Sequence, residues 1–316
     1  MSFYFLSDHK TGYQFSSNFA KIINKTNYPL IHRQLFEILN FPGCHIRFKS
    51  IIFTGKKEFS ENTKGYKIKF PLKLKNLIEF LINNKFFKNQ IIPKAVYRRT
   101  FFNFWNINSN KDKYVIFIRD PREIIISGYL YHKDQCTENW CINKNTDYFE
   151  DWAHLFSKES KEINKKILNM GKLFSKKESY QSKLNKMSVE EGIIFEMENV
   201  AYITIMGMIN YNYYKYKNVL VIDNQDIVFD FENIIKKILI FFEQTKNLNK
   251  IIENSQKLKI QNIINKKYPI KITNTDMERN RYKRYWNKKI DDRFKELFSS
   301  NLLEKLKNKT DLNFKI

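Results

Sequence analysis

The first residues that could do chemistry lie near the start of the chain, at positions 9 to 14, which read HKTGYQ. A short apolar run from Phe3 to Leu6 precedes them and an amphipathic stretch from Phe15 to Ile23 follows, so the pattern predicts strand, loop and helix. In such a loop, backbone N–H groups and the helix N-terminus can surround an anion beside the ammonium group of Lys10. The run therefore predicts a phosphate-binding loop, with an exposed turn built on Gly12 as the alternative.

The second candidate site follows a continuous β-prone run from Tyr114 to Ile118. The run predicts a strand buried on both faces of a parallel sheet, and Pro121 with Glu123 predicts that a helix begins directly after it. Ligands of open parallel sheets bind at the carboxyl ends of the strands. Arg119 would offer a planar guanidinium group to a phosphate there, and Ser127 would add a hydroxyl from the helix. The alternative is an ion pair of Arg119 with a nearby carboxylate and a solvated Ser127.

Further patterns predict the framework that holds these two sites. The helix after Pro121 extends to about His132, a strand-like run from Asn218 to Asp223 precedes a helical run from Phe231 to Phe242, and a last helix covers Asp291 to Lys307. Strands that alternate with helices predict an α/β fold with a central, mainly parallel sheet flanked by helices. Because no Gly-, Ser- or Pro-rich linker interrupts the chain, we expect one domain over residues 1–316.

Other segments extend this framework. Tyr28 to Leu39 and Leu72 to Ile82 have helical spacing, and His45 to Phe53 predicts another strand. Residues 143–190 are polar and rich in Lys and Ser, so we expect them to cover the core. Residues 244–275 are rich in Lys and Asn.

The composition is strongly basic. Of 316 residues, 56 are Lys or Arg and 33 are Asp or Glu, which gives a net charge of +23. Such a charge attracts nucleotides, sulfated glycans, nucleic acids or anionic membranes. Lys, Asn and Ile recur along the whole chain, so a compositional bias explains the surplus as well as a function does. The basic residues are scattered and no recognised nucleic-acid-binding module is present, so we expect no nucleic-acid partner and keep polyanion binding as an alternative.

The cysteines and apolar runs bear on metal binding and location. Cys44, Cys136 and Cys141 show no zinc-ligand spacing, so no metal site is expected. Three cysteines indicate a reducing compartment, although Cys136 and Cys141 could close a small loop in an exported chain. The sequence shows no secretory leader and no apolar run of the ~18 residues that a membrane span needs. These features predict a cytoplasmic protein without a membrane span.

Together the two sites resemble the PAPS-dependent sulfotransferase family, whose donor is 3′-phosphoadenosine 5′-phosphosulfate (PAPS). The resemblance rests on HKTG between a strand and a helix, followed 109 residues after Lys10 by RDPR with Ser127 at the ninth position of that motif. The second motif is the more specific. The run from Val219 to Phe242 is similar to the late strand and helix of the family. The resemblance thus covers most of the chain and implies a P-loop-like three-layer α/β fold.

The resemblance also implies roles for individual residues. The first motif would bind the 5′-phosphosulfate, with Lys10 at the bridging oxygen as the catalytic residue and Gly12 allowing a close approach of the backbone. Arg119 and Ser127 would bind the 3′-phosphate. The implied donor-binding residues are Lys10, Thr11, Gly12, Tyr13, Gln14, Arg119, Ser127 and Arg279.

Arg279 enters this set through a partial third motif. Family members often carry Arg-Lys-Gly seven residues before a Trp, and the Arg contacts the 3′-phosphate. Arg279 stands seven residues before Trp286, but Asn280 and Arg281 replace the Lys and Gly. A basic, solvated face is therefore an equal alternative here.

The sequence assigns neither the general base nor the acceptor substrate. An acceptor hydroxyl needs a base that contributes ~100-fold to 10⁴-fold in rate. Many family members carry a His upstream of the RDPR motif, whereas residues 95–99 contain none. Glu37, His32 and His45 are weak candidates, and the acceptor is expected to be a glycan or a small molecule with a hydroxyl or amine.

Two further alternatives concern the enzyme class. A nucleotide kinase-like enzyme is disfavoured because a Walker A loop reads Gly-x-x-x-x-Gly-Lys-Ser/Thr, whereas here Lys10 precedes a lone Gly12. A catalytically inactive PAPS-binding fold remains compatible with the missing base.

Overall fold

The computed structural model describes residues 3–7, 10–27, 91–95, 112–137, 139–142, 178–210, 216–259 and 278–310. The elements expected over residues 28–82 lie outside these ranges. So do the three base candidates Glu37, His32 and His45, and most of the polar segment predicted to cover the core.

Four parallel strands form the described sheet, in the order β2-β1-β3-β4. Their bounds are β1 Phe3–Ser7, β2 Ile91–Ala95, β3 Lys113–Ile118 and β4 Val219–Asp223. In register, Phe5 of β1 lies opposite Val115 of β3. The expected mixed α/β fold with a parallel sheet is confirmed for these residues.

The described α-helices are α1 Tyr13–Asn27, α2 Pro121–Asp134, α3 Asn139–Ile142, α4 Tyr180–Lys186, α5 Val189–Glu198, α6 Val200–Asn210, α7 Asn224–Phe229, α8 Phe231–Phe241, α9 Leu248–Ser255, α10 Lys288–Leu297 and α11 Ser300–Thr310. Short 3₁₀ turns cover Gln256–Leu258 and Arg281–Arg284.

Alternation along the central strands explains why both faces of the sheet are buried. Successive side chains of a strand point to opposite faces. Tyr4 and Tyr114 stack on one face, and Phe5 contacts Phe117 on the other. Helices α2, α4 to α6, α10 and α11 pack with the first face, and α1 and α7 to α9 pack with the second. Helices therefore cover both faces of the sheet.

Several sequence predictions are confirmed with small shifts of bounds: the strands over β1, β3 and β4, and the helices over α1, α2 and α8. Strand β2 was missed because Pro93 stands in its middle, and proline argues against a central strand. In the described sheet β2 lies at an edge, where proline is tolerated.

The prediction of one last helix over Asp291 to Lys307 is wrong. The chain forms α10 and then α11, with a break at Phe298 (φ −124°, ψ 84°). Phe298 is fully buried and stacks on Tyr202. Phe298 and Ser299 leave the helical conformation where this ring is buried against α6, a tertiary effect that the helical spacing does not show.

The helix pair α5 and α6 was also missed. Among the described residues no single helix combines the length and apolar composition of a membrane span, and the segments Val189–Glu198 and Val200–Ile209 pass such a test only as a pair bent by 46°. Cys136 and Cys141 are both buried, and they form no disulfide with each other.

A buried polar network joins α2, α4 and α5. His132 Nδ1 lies 2.8 Å from Glu196 Oε2, and the Tyr180 hydroxyl donates to the same oxygen at 2.7 Å. All three side chains are fully buried. Burial, together with the neighbouring carboxylate of Glu196, raises the pKa of Tyr180 well above its ordinary value. Gly128 of α2 lies directly against this carboxylate, so the network fixes the distance between α2 and α5.

We expect Gly128→Ala to lower the free energy of unfolding by about 1–3 kcal/mol, the usual cost of overpacking a core. A β-carbon at this position would overlap Glu196 Oε1, and His132 with Tyr180 prevents that carboxylate from moving away. Urea denaturation measures the change. In a Glu196→Ala background the cost of Gly128→Ala should largely disappear, and an unchanged cost would contradict this packing.

Candidate functional site

The topology of the described sheet places the two predicted sites side by side. Strands β1 and β3 are neighbours, the next described strand after β1 lies on one side of this pair, and the strand after β3 lies on the other side. Such a reversal opens a crevice at the carboxyl ends of the strands, where ligands of open α/β sheets bind. The loop that contains Lys10 leaves β1 at this edge, and Arg119 leaves β3 there.

The loop between β1 and α1 has an unusual backbone. Lys10 adopts φ 62° and Gly12 φ 123°, both in the left-handed half of conformational space. A β-carbon on Gly12 would also come within 2.8 Å of Asn224 Oδ1. Glycine is therefore required by conformation and by space, since a side chain here would both strain the backbone and meet α7. The buried Thr11 lies between them.

Helix α1 begins directly after this loop, at Tyr13 and Gln14, and Ser16 N–H donates to Gly12 C=O at 3.0 Å. The first N–H groups of a helix have no partner within the helix and carry partial positive charge. The structure thus confirms the predicted order of strand, loop and helix, which is the arrangement that a phosphate-binding loop needs.

The ammonium group of Lys10 lies against α2. Its Nζ is 3.0 Å from the centre of the Tyr131 ring, where the negative face of the ring attracts a cation. Tyr131 follows Ser127 by one helical turn, so both residues lie on the same face of α2. Ser127 is itself buried, with 3% of its surface exposed, so the alternative of a solvated Ser127 is wrong.

Arg119 connects the two predicted sites directly. Its Nη1 donates to the carbonyl oxygen of Lys10 at 3.3 Å, and its Nη2 donates to Glu123 Oε2 at 3.2 Å. Only 12% of its side chain is exposed, and burial lowers the pKa of the guanidinium group. Its buried Nε has no hydrogen-bond partner among the described residues. The ion pair expected as an alternative is present, but it coexists with the contact to the loop.

A second arginine lies at the same carboxylate. Arg281 Nε is 3.9 Å from Glu123 Oε2, and both side chains are 2% exposed. The backbone N–H of Tyr282 donates to Glu123 Oε1 at 2.9 Å. Sequence reasoning missed Arg281 because it occupies the position of a Gly in the partial motif; its distance of two residues from Arg279 was the one available signal.

Arg279 lies elsewhere. Its side chain is 54% exposed, its Nη2 is 3.5 Å from Asp226 Oδ1, and its Cζ is 4.5 Å from the centre of the Phe229 ring. Asn280 has φ 61°, so the chain turns sharply between the two arginines. Arg279 therefore lies against α7, and Arg281 lies against Glu123.

The remaining charges of the RDPR motif have a structural role. Asp120 caps α2 by accepting from Arg122 N at 2.8 Å, and it also accepts from both Nε (3.1 Å) and Nη2 (2.7 Å) of the same arginine. Arg122 Cζ in turn lies 4.2 Å from the centre of the Tyr282 ring. This contact holds the turn that carries Arg281 against the start of α2.

Asp223 is the titratable group at the end of β4. It lies opposite Ile118 in register, next to Arg119, and it caps α7 by accepting from Gln225 N at 2.9 Å. Burial raises its pKa to about 6, although the Gln225 hydrogen bond and the charge of Arg119 act in the opposite direction. Within the ranges that the structure describes, no group of three His, Cys, Asp or Glu side chains could hold a metal ion.

The arrangement as a whole is suited to holding an anion. The Lys10 to Gly12 loop, the helix N-terminus behind it, and the guanidinium groups of Arg119 and Arg281 lie at one edge of the sheet. Charged donors at the closed end of a crevice bind phosphate and sulfate oxygens strongly.

We expect Asp223→Asn to raise the free energy of unfolding at pH 7.5 by at most about 3 kcal/mol. The folded state keeps the Asp223 proton up to about pH 6, whereas the ordinary carboxyl value is 3.8, so wild-type stability falls as pH rises between these values. Asparagine keeps the cap without this cost. Urea denaturation at pH 4 and pH 7.5 measures the difference, which should vanish at the lower pH.

The control for this prediction is Asp291→Asn. Hydrogen bonds from Lys295 and Trp286 lower the pKa of Asp291, so its substitution should lower stability at pH 7.5. A loss of stability in Asp223→Asn of the same sign would show that the Asp223 carboxylate is favourable in the fold.

We expect Tyr131→Leu to increase the rate at which Lys10 reacts with an acylating reagent several-fold, because the ammonium loses the aromatic face that stabilises and shields it. Tyr131→Phe keeps that face and should react like the wild type. Peptide mass spectrometry measures the rates. Equal rates in all three proteins would mean that the ring does not hold Lys10.

Comparisons with protein-family models, curated protein sequences and solved structures found no match to this chain.

Proposed function

We propose that the protein is a sulfotransferase that moves a sulfuryl group from PAPS to a hydroxyl or amine of a glycan or small molecule. The observation that carries this proposal is the hydrogen bond from Arg119 to the carbonyl oxygen of Lys10. Two motifs that resemble those of PAPS-dependent sulfotransferases are 109 residues apart, yet they meet at the edge where a parallel sheet binds ligands.

The P-loop-like three-layer fold belongs to the same proposal. Helices on both faces of a parallel sheet, with a tight loop between the first strand and the first helix, support it. Gly12 lets the backbone come close to an anion, and the left-handed conformation at Lys10 curves the loop around that position.

The buried arginines are the residues that suit the site to a phosphorylated nucleotide. Arg119 has an Nε without a partner among the described residues, and a buried N–H of this kind calls for an acceptor. The 3′-phosphate of PAPS supplies such an acceptor. Arg119 and Ser127 would hold it, as the resemblance implies, and the position of Arg281 makes it a better third contact than the exposed Arg279.

PAPS supplies a sulfuryl group on a phosphate leaving group. To catalyse this transfer, the protein must hold donor and acceptor in line and stabilise the negative charge that develops on the leaving phosphate. Lys10 would provide the charge, and the N–H groups at the start of α1 would bind the 5′-phosphate, with Thr11, Gly12, Tyr13 and Gln14 contributing backbone donors. Tyr131 keeps the ammonium of Lys10 at the α2 side of the crevice.

The decisive experiment is transfer of labelled sulfate from PAPS to a panel of glycans, alcohols, phenols and amines. We expect Lys10→Ala to lower kcat by about 10²- to 10³-fold with little change in KM for PAPS, the usual cost of one transition-state donor. Arg119→Ala should act mainly on KM for PAPS, because its role is donor binding.

Lys113→Ala is the matched control. Lys113 lies at the opposite end of β3, where its Nζ donates to the carbonyl oxygen of Phe241 at 2.8 Å and pairs with Glu243. Its loss removes one lysine without touching the crevice, so transfer should be retained. Undiminished transfer in Lys10→Ala would overturn the assignment, and PAPS binding without transfer to any acceptor would favour a catalytically inactive PAPS-binding fold.

A further inference from the structure

Glu123 joins the end of β3 and the start of α2 to the distant turn that carries Arg281 and Tyr282. It belongs to the first turn of α2, and its carboxylate accepts from Arg119 Nη2 through one oxygen and from Tyr282 N–H through the other. Arg281 Nε lies 3.9 Å from the first of these oxygens. The residue is 1% exposed, so water does not compete for these contacts.

Two arginines lie at the Glu123 carboxylate, and both guanidinium groups are buried with it. Burial lowers the pKa of Arg119, and the positive charge of Arg281 acts in the same direction. The neighbouring Asp120 is paired with Arg122. Two like charges that are buried side by side are stabilised when an anion joins them.

The geometry also leaves donors for that anion. One end of the Arg119 fork is occupied by Glu123 and the other by the carbonyl oxygen of Lys10, which fixes the plane of the guanidinium group. The Nε edge of this plane has no partner among the described residues. A planar group held at two corners presents its Nε–H in a fixed direction, and this favours an anion at that edge.

We propose that Glu123 is the positioning residue that holds Arg119 and Arg281 side by side as one clamp for a phosphate monoester. This rests on the proposed function, in which the clamp receives the 3′-phosphate of the donor. Glu123 itself does not touch the ligand. It sets the separation and plane of two arginines that are 162 residues apart in the sequence.

The test uses calorimetry to measure the affinities of two nucleotides for the wild type and for Glu123→Gln. The ligands are 3′-phosphoadenosine 5′-phosphate and adenosine 5′-phosphate, which differ only in the 3′-phosphate. Glutamine keeps the shape and an oxygen for Tyr282 N–H but loses both ion pairs. We expect affinity for the first ligand to fall about 10- to 100-fold, as for loss of a charge-assisted contact, and affinity for the second to stay unchanged.

Glu196→Gln is the matched control, because Glu196 is an equally buried carboxylate whose contacts are to His132 and Tyr180. Its preference for the 3′-phosphorylated ligand should equal that of the wild type. If Glu123→Gln does not fold, Glu123→Asp replaces it, because aspartate keeps the charge but has a shorter side chain. The ratio of its affinities for the two nucleotides is then compared with that of the wild type.

The outcomes separate this inference from the proposed function. If the wild type does not prefer the 3′-phosphorylated nucleotide, the proposed function fails and the clamp fails with it. If the wild type shows the preference and the Glu123 variant keeps it, only the positioning role is overturned. An equal loss for both ligands would show a general structural role, which also overturns it. Selective loss for the 3′-phosphorylated ligand supports the clamp.

Discussion

The rest of the site depends on one buried cation at the end of a central strand. Arg119 lies where β3 ends, and its guanidinium group donates to the carbonyl oxygen of Lys10 on one side and to Glu123 on the other. Burying a charge is unfavourable unless it is paired and hydrogen-bonded. The fold meets this requirement by bringing the loop after β1 and the first turn of α2 to the same point, so that the arginine stabilises the shape of the crevice.

Contacts at its N-terminus and with α5 fix the position of α2. At its N-terminus Asp120 caps the helix and pairs with Arg122, which packs on Tyr282. Further along, His132 and the small Gly128 contact the buried Glu196 of α5. A helix held at both ends by buried polar contacts cannot slide without breaking them. Residues on its inner face therefore keep a constant relation to Lys10.

The parts of the candidate site that the sequence predicted are those encoded by local pattern. A β-prone run ending in Arg119, a proline at the start of a helix, and a short strand before Lys10 each depend on neighbours in sequence, and each was confirmed. Arg281 was missed because its partner, Glu123, is 158 residues away in sequence. The left-handed Asn280 separates it from Arg279, and the spacing to Trp286 led to Arg279 rather than to the arginine that lies at Glu123.

By itself, the sequence determined which segments of the described chain are strands and helices where periodicity is strong, and it determined which residue types make up the candidate site. Only the tertiary structure decided that these residues meet. It also decided that Pro93 lies in an edge strand, that the last helix breaks at Phe298, and that one carboxylate serves two arginines. The physical reason is that hydrophobic periodicity reports the burial of each element, whereas paired buried charges depend on which elements the fold places in contact.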